Sequence, residues 1–384
     1  MINRSKLIGL EGINFVLKPL HTSLVSLAVV RFFNLELWGA LVAYLVVVEL
    51  ASNLLNWGQK PYLIRSFSLS PNSINKNWYE VIYSRFPLLF LVGITFFLLP
   101  EFRNYSAYLI IWVACKWFSQ LFEPYLQYNR KYSWSIVAEF AAIVTAMGIL
   151  FLKPTIDLES LILIFACSSI VRFLFLLPLF PIKELPSFSL KKMKSQLFAS
   201  FPFFALSIAG LIQTKGDLYV SAYLMNDMDL ATYQVIIGFL LIGQAISWIV
   251  LGPFQKNIFR WQGKDIRKLK SLYLKIGISI SSVFTLLLYF AITYIYLIKI
   301  ELVLLIYFFI YLIVLYFYLI ESQILLKNKK EKELLNFTLL AAGSNLFLSF
   351  VFIPFLGLKG ALIGGIVGKV VLAILVVNKY KKLT

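Results

Sequence analysis

The chain has 384 residues, 60% of them hydrophobic and only 14% charged, with a formal net charge of +18. So few charges cannot cover a water-soluble domain of this length, so that class is excluded and lipid must act as solvent. In lipid the backbone must satisfy its own hydrogen bonds, and continuous, non-alternating apolar runs of about 20 residues select helices over a barrel.

Twelve spans follow in chain order. The first six are at residues 12–33, 38–57, 81–100, 106–126, 134–152 and 160–180. The second six are at 197–223, 231–254, 273–297, 301–325, 336–356 and 358–378. No small-residue cleavage site follows the first run, which reads as a retained helix and not a signal peptide. Cys115 and Cys167 sit inside apolar runs without paired spacing, as reduced packing residues do.

The connections alternate in charge. The N-terminus, the even-numbered connections and the C-terminal tail hold 24 Lys or Arg, against 5 in the odd-numbered ones: Arg31, Arg103, Lys153, Lys299 and Lys359. The positive-inside rule then puts both termini and the longer loops in the cytoplasm. The basic excess thus reads as topology and not as nucleic-acid binding. One basic connection, around residues 61–80, mixes Tyr62, Phe67, Trp78 and Tyr79 with Lys60, Arg65 and Lys76. That composition suits a segment lying on anionic lipid, or a plain basic loop.

The expected fold is all-α, a polytopic membrane protein of about 12 helices in two six-helix halves. Residues 1–180 form the first half, 181–196 a cytoplasmic linker and 197–384 the second. A weak repeat at an offset of 193 lays Glu36-Leu37 on Asp229-Leu230, each at the turn between the first two helices of its half. Parallel repeats of this kind are one known transporter architecture.

Charges inside the spans carry the functional signal, because burying an ionisable side chain in a membrane is costly without a purpose. Glu49, Lys116, Arg172 and Lys369 count to mid-depth, and Lys215 and Asp217 to the outer half of the seventh span. Residues two apart point to different sides of a helix, so Lys215 and Asp217 each need a separate partner. Lys18 and His21, one turn apart, share a face of the first helix. A lone histidine in an apolar helix reads first as a packing residue and second as a proton carrier. Glu123, Glu139, Lys275, Glu321 and Arg85 lie near span ends, where snorkelling to the interface is the expectation.

Deep cations outnumber deep carboxylates, which favours an anionic cargo such as a phosphate or diphosphate headgroup. The structural alternative is that each cation pairs with a carboxylate on a neighbouring helix. Gly360, Gly364 and Gly368 form a small-residue stripe that permits close helix approach. Pro87, Pro124, Pro178, Pro202 and Pro253 either kink or end their spans. There is no GxxxxGK[ST] loop, HExxH, GxSxG or CxxC pair, and with one His and two Cys neither a metal centre nor a nucleophilic triad is expected. The chain reads as a non-enzyme without cofactors.

Three stretches carry a family resemblance. They are RFFNLELWGALVAYLVVVELASNLLNWGQKPYLIRSF at 31–67, FPFFALSIAGLIQTKGDLYVSAYLMNDMDLATYQV at 201–235, and FIPFLGLKGALIGGIVGKVVLAILVVNKYKK at 352–382. Together they cover about a quarter of the chain and resemble the bacterial polysaccharide flippases, the O-antigen repeat-unit transporters, which share a superfamily with the multidrug and toxin extrusion exporters. The first helix departs from that pattern, with Lys18-Pro19-Leu20-His21 in place of a Gly/Ser-rich start, and its external turn reads Asn34-Leu35-Glu36.

The resemblance implies a V-shaped bundle around a central cavity, in the bacterial cytoplasmic (inner) membrane. It implies movement of undecaprenyl-diphosphate-linked oligosaccharides by alternating access, for surface polysaccharide or lipopolysaccharide synthesis. Lys116, Arg172, Lys215, Lys369, Lys18 and Arg31 are the expected anion path, and Glu49, Asp217 and His21 the candidates for ion or proton coupling. Partners would be the lipid-linked oligosaccharide, membrane lipids and other polysaccharide-assembly membrane proteins, not nucleic acid. The rivals are a multidrug or cation antiporter of the same superfamily, a glycan polymerase or ligase, which would need a sizeable external loop, and a scaffold without cargo.

Overall fold

The computed structural model describes residues 4–153, 155–180, 189–254, 258 and 263–382. Among the described residues there is no strand, and thirteen helices have eleven residues or more. They are α1 (Arg4–Phe32), α2 (Leu35–Asn56), α3 (Gln59–Leu69), α4 (Ile74–Leu98), α5 (Ser106–Tyr128), α6 (Tyr132–Leu152) and α7 (Leu158–Leu176). Then follow α8 (Leu190–Leu224), α9 (Asp227–Leu251), α10 (Lys264–Phe290), α11 (Leu304–Lys327), α12 (Glu331–Leu356) and α13 (Leu358–Lys381).

Among the described residues, eleven helical segments are long and apolar enough to cross a membrane. Every expected span coincides with a helix, but the fourth, α5, is not among those eleven. Its length of 23 residues is ample; Lys116, Gln120 and Glu123 dilute its apolarity. That polar stripe is half-buried among neighbouring helices, not offered to lipid. The later part of the expected linker, from Leu190, is the first two turns of the 35-residue α8. Its earlier part, 181–188, lies outside the described residues.

Helix ends follow their local chemistry. Asp157 caps α7 by accepting the Ser160 N–H at 3.0 Å, and bonds from Ser160 hold its carboxyl below the ordinary range. Asn226 caps α9 by accepting the Asp229 N–H at 2.9 Å, with Asp227 and Asp229 favourably placed in the first turn. The same turn occurs at two places in the chain. Asn129-Arg130-Lys131 after α5 and Asn328-Lys329-Lys330 after α11 both put the middle residue at φ 57°. Both also close with the same long-reach bond, from Lys131 N–H to Leu126 at 2.9 Å and from Lys330 N–H to Leu325 at 3.0 Å.

The segment 61–80 resolves into α3, a short 3₁₀ turn and the start of α4. Leu63 and Phe67 of α3 are buried, and Phe67 packs edge-on against Tyr128 at 5.7 Å. Its apolar face therefore rests on protein. Gly58, at φ 67°, makes the α2–α3 corner, and a Cβ there would lie 2.4 Å from the Phe204 nitrogen of α8. Both the backbone angle and the space require glycine.

Contacts divide the chain into two compact units: Met1–His21 with Ala43–Ile208, and Thr22–Val42 with Ala209–Thr384. In the first unit, the N-terminal part of α8 is held by Trp57, whose Nε1 donates to the Leu197 carbonyl at 3.1 Å and whose ring stacks on Phe204 at 4.0 Å. In the second, the α1–α2 turn meets the α8–α9 turn, the two places related by the sequence repeat. Buried Trp38 donates to Gln234 at 2.8 Å, and the space beside Gly39 is filled by the Asp227 carbonyl. The Gly stripe of α13 packs on α12: Gly360 meets the Phe352 backbone, Gly364 meets Ser349 and Gly368 meets Asn345.

Pro87, Pro124 and Pro202 lie inside helices, as do Pro19 and Pro354, whereas Pro178 falls in a terminal 3₁₀ turn. Pro253 falls in the 3₁₀ turn Gly252–Phe254.

Candidate functional site

The first unit gathers its charges from five helices. Glu123 of α5 binds the Lys18 ammonium of α1, contacts Lys60 of α3 at 3.2 Å and lies 3.9 Å from Arg172 of α7. Glu139 of α6 pairs with Arg172 at 3.0 Å and meets His21 Nδ1 at 3.4 Å. Lys18 and His21 thus use their shared face as the sequence implied, one on each carboxylate. Behind them, the His21 ring stacks on Phe165 at 5.9 Å, and Phe165 on Trp112 at 5.0 Å. His21 Nε2 is buried and has no hydrogen-bond partner among the described residues.

Glu123 and Glu139 do not snorkel. Their side chains are 17% and 2% exposed. Counting from span ends misjudges them because depth along a helix says nothing about which side faces protein. Three cations, Lys18, Lys60 and Arg172, share the two carboxylates. Lys60, 52% exposed, remains reachable from outside.

Arg85 was also expected near the interface, yet it is fully buried. Its guanidinium donates to the Asn56 and Trp57 carbonyls at the end of α2, both at 3.3 Å, and to Ser200 Oγ of α8 at 2.9 Å. The orphan carbonyls of a helix C-terminus attract a cation, and here they replace a carboxylate partner. Glu321 is likewise buried and paired, to Lys270. Lys275 is exposed.

The second unit holds a smaller, sealed cluster. Asp217 of α8 and Lys369 of α13 are 0% and 1% exposed and lie within electrostatic reach of each other. The Tyr233 hydroxyl of α9 donates to Asp217 Oδ2, and the Lys369 ammonium sits 4.3 Å above the Tyr311 ring of α11. Asn345 of α12 donates to the Gln213 carbonyl at 3.2 Å and accepts from Ser349 at 3.1 Å. Gly365 makes room for the carboxylate, since a Cβ there would stand 2.6 Å from Asp217 Oδ2. Asp217 thus faces neighbouring helices. The helix runs unbroken through Gly216, where a Cβ would press on Leu346 at 3.1 Å.

The remaining expected site residues are spread out. Lys116, Lys215 and Glu49 are half-buried and engaged with neighbours. Arg31 is exposed at the end of α1, beside a cavity of the second unit. Cys115 and Cys167 are free thiols. Among the described residues no group of three His, Cys, Asp or Glu side chains is disposed to hold a metal.

Sequence reasoning missed Glu123, Glu139, Lys60 and Arg85 as site members, along with the tyrosines over Asp217 and Lys369. A usable signal was present: each buried cation demanded a carboxylate, and these were the carboxylates left to supply one.

The all-helical, multi-pass fold is similar to the folds of solved MurJ-type and MATE-type transporter structures. A lipid II flippase, MurJ, solved in an inward closed conformation, superposes with a TM-score of 0.68 at 16% identity, over 94% of this chain and 85% of its own. A multidrug resistance MATE family transporter in an inward-facing conformation gives 0.62 at 16% identity, over 98% and 93%. A eukaryotic MATE transporter gives 0.58 at 13% identity, over 98% and 96%. No protein-family model matches the sequence, and no curated protein matches it.

Proposed function

We propose that the protein is a flippase. In this reading it carries undecaprenyl-diphosphate-linked oligosaccharide repeat units across the bacterial cytoplasmic membrane by alternating access, for O-antigen or related surface polysaccharide. The observation that carries the reading is the charge cluster of the first unit, where Lys18, Lys60 and Arg172 outnumber Glu123 and Glu139. A diphosphate compensates such an excess well, because guanidinium and ammonium groups bind its oxygens by charge-assisted hydrogen bonds. The likeness to a lipid II flippase is in keeping with it. Lys116 and Lys215 are further cationic candidates in this reading, while Glu49 and His21 are the candidates for coupling to an ion or proton; the sealed Asp217 and Lys369 stand outside it.

One observation favours a second reading. The MATE transporters match this chain over 93% and 96% of their own length, against 85% for the lipid II flippase. A multidrug antiporter would export cationic compounds, for which a net positive cluster is a poor host.

The experiment is glycan export in a complementation or reconstituted-membrane assay, with Arg172→Ala and Lys215→Ala. Export falls in both if the cationic path holds; full export at normal protein levels in both would sink it. Resistance to cationic drugs on overproduction, without glycan export, would establish the antiporter instead.

A further inference from the structure

A cavity of about 790 Å³ opens in the second unit, away from the Asp217 cluster. It is walled by three separate connections: the α1–α2 turn with Arg31, the α10–α11 segment with Lys299 and Glu301, and the α12–α13 turn with Lys359. Asp229, at the start of α9, completes the charged lining.

These cations are unusual in their placement. The sparsely basic side of the chain holds five Lys or Arg, and three of them line this one cavity. Membrane proteins disfavour cations on that side, so gathering most of the survivors around one hollow calls for a reason. Both carboxylates of the lining already have partners. Glu301 pairs with Lys359 at 2.8 Å, and Asp229 accepts from the Asn226 side chain at 2.9 Å within the α9 cap. Among the described residues, Arg31 and Lys299 have no ion-pair partner.

The backbone here is also built irregularly. α10 ends in a π turn, Ala291–Ile295, and Leu297 follows at φ 57°, a strained position for a branched side chain. Tyr296 anchors the break, donating from its hydroxyl to the Ser23 carbonyl at 2.8 Å. A straight helix would run on; the break instead lays residues 297–301 along the cavity wall and puts Lys299 at its edge.

We propose that this cavity is a second, outward-side binding site for an anionic sugar ligand, whose carboxylate or phosphate oxygens bridge Arg31 and Lys299. It deepens the flippase reading and rests on it for the identity of the cargo: the site receives the acidic part of a glycan as it leaves. The shared chemistry is an anionic oxygen, supplied by a uronic acid or by the diphosphate.

The test is equilibrium binding to the full chain in nanodiscs, with trigalacturonate, inorganic pyrophosphate and neutral maltotriose as probes. At least one anion binds saturably with Kd of about 1 mM or tighter, and R31E/K299E weakens it at least about tenfold, a loss of about 1.4 kcal/mol. Which anion binds identifies the source of the oxygens. The milder R31Q/K299Q, checked by size-exclusion profile, shows an intermediate loss and guards against misfolding in the charge reversal. Saturable binding by neither anion, equal binding of maltotriose, or affinity unchanged in both variants overturns the proposal. Since binding is read without transport, a failure here leaves glycan export by the wild type standing. A failed export assay with intact anion binding strikes the flippase reading alone.

Discussion

The charge clusters of the two units solve the same problem in opposite ways. In the first, five helices bring three cations and two carboxylates together, and side-chain exposure runs from 2% at Glu139 to 52% at Lys60. In the second, one carboxylate and one ammonium are sealed at 0% and 1% exposure under tyrosine side chains. A cluster with shared partners and an open edge exchanges one contact for another at low cost, so an anion can enter it. A sealed pair cannot open without leaving a charge unpaired in low dielectric. On the proposed reading the first is the binding site, and the second a packing lock that any conformational change must respect.

The largest expected effect breaks the lock. Asp217→Leu leaves the Lys369 ammonium buried without its carboxylate and should lower stability by about 3–5 kcal/mol. The double variant D217L/K369M should recover most of that loss, because two matched apolar side chains carry no desolvation cost. Thermal unfolding of the purified protein in detergent measures both, and a double variant no better than the single one would deny the pairing. A smaller loss is expected from Gly365→Ala. Its new methyl group meets the Asp217 carboxylate and the Tyr311 ring, an overpacking worth about 1–3 kcal/mol. The smallest change in stability sharpens the contrast. Lys60→Ala removes an exposed contact worth about 0–1 kcal/mol, so the melting temperature should hardly move. Glycan export should fall all the same, and a large drop in stability with unchanged export would reverse the assignment of roles.

Much of this was legible beforehand, and where it failed it failed for a definite reason. Hydrophobic run length located every helix of membrane-crossing length but not the short α3, and the Gly360, Gly364 and Gly368 stripe announced a close helix approach, which the structure makes between α13 and α12. The charge of each buried residue was equally plain. Its partner was not: Glu123 and Lys18 are separated by 105 positions, and no periodicity links residues on different helices. The polar α5 shows the same limit from the other side. Its hydropathy describes a poor membrane helix, yet its Lys116 and Glu123 are accommodated among neighbouring helices.

By itself the sequence determined an all-helical membrane protein, the alternation of basic and sparsely basic connections, and the cost of every ionisable group within a span. These depend on chain-local quantities, namely side-chain transfer free energy and the rise of a helix. Only the tertiary structure decided that Arg85 is satisfied by the carbonyls ending α2, that Asp217 faces Tyr233 and Lys369, and that Arg31 and Lys299 border one cavity. Those outcomes depend on which helix faces meet. Electrostatic interaction acts over a few ångströms in space, whatever the distance along the chain.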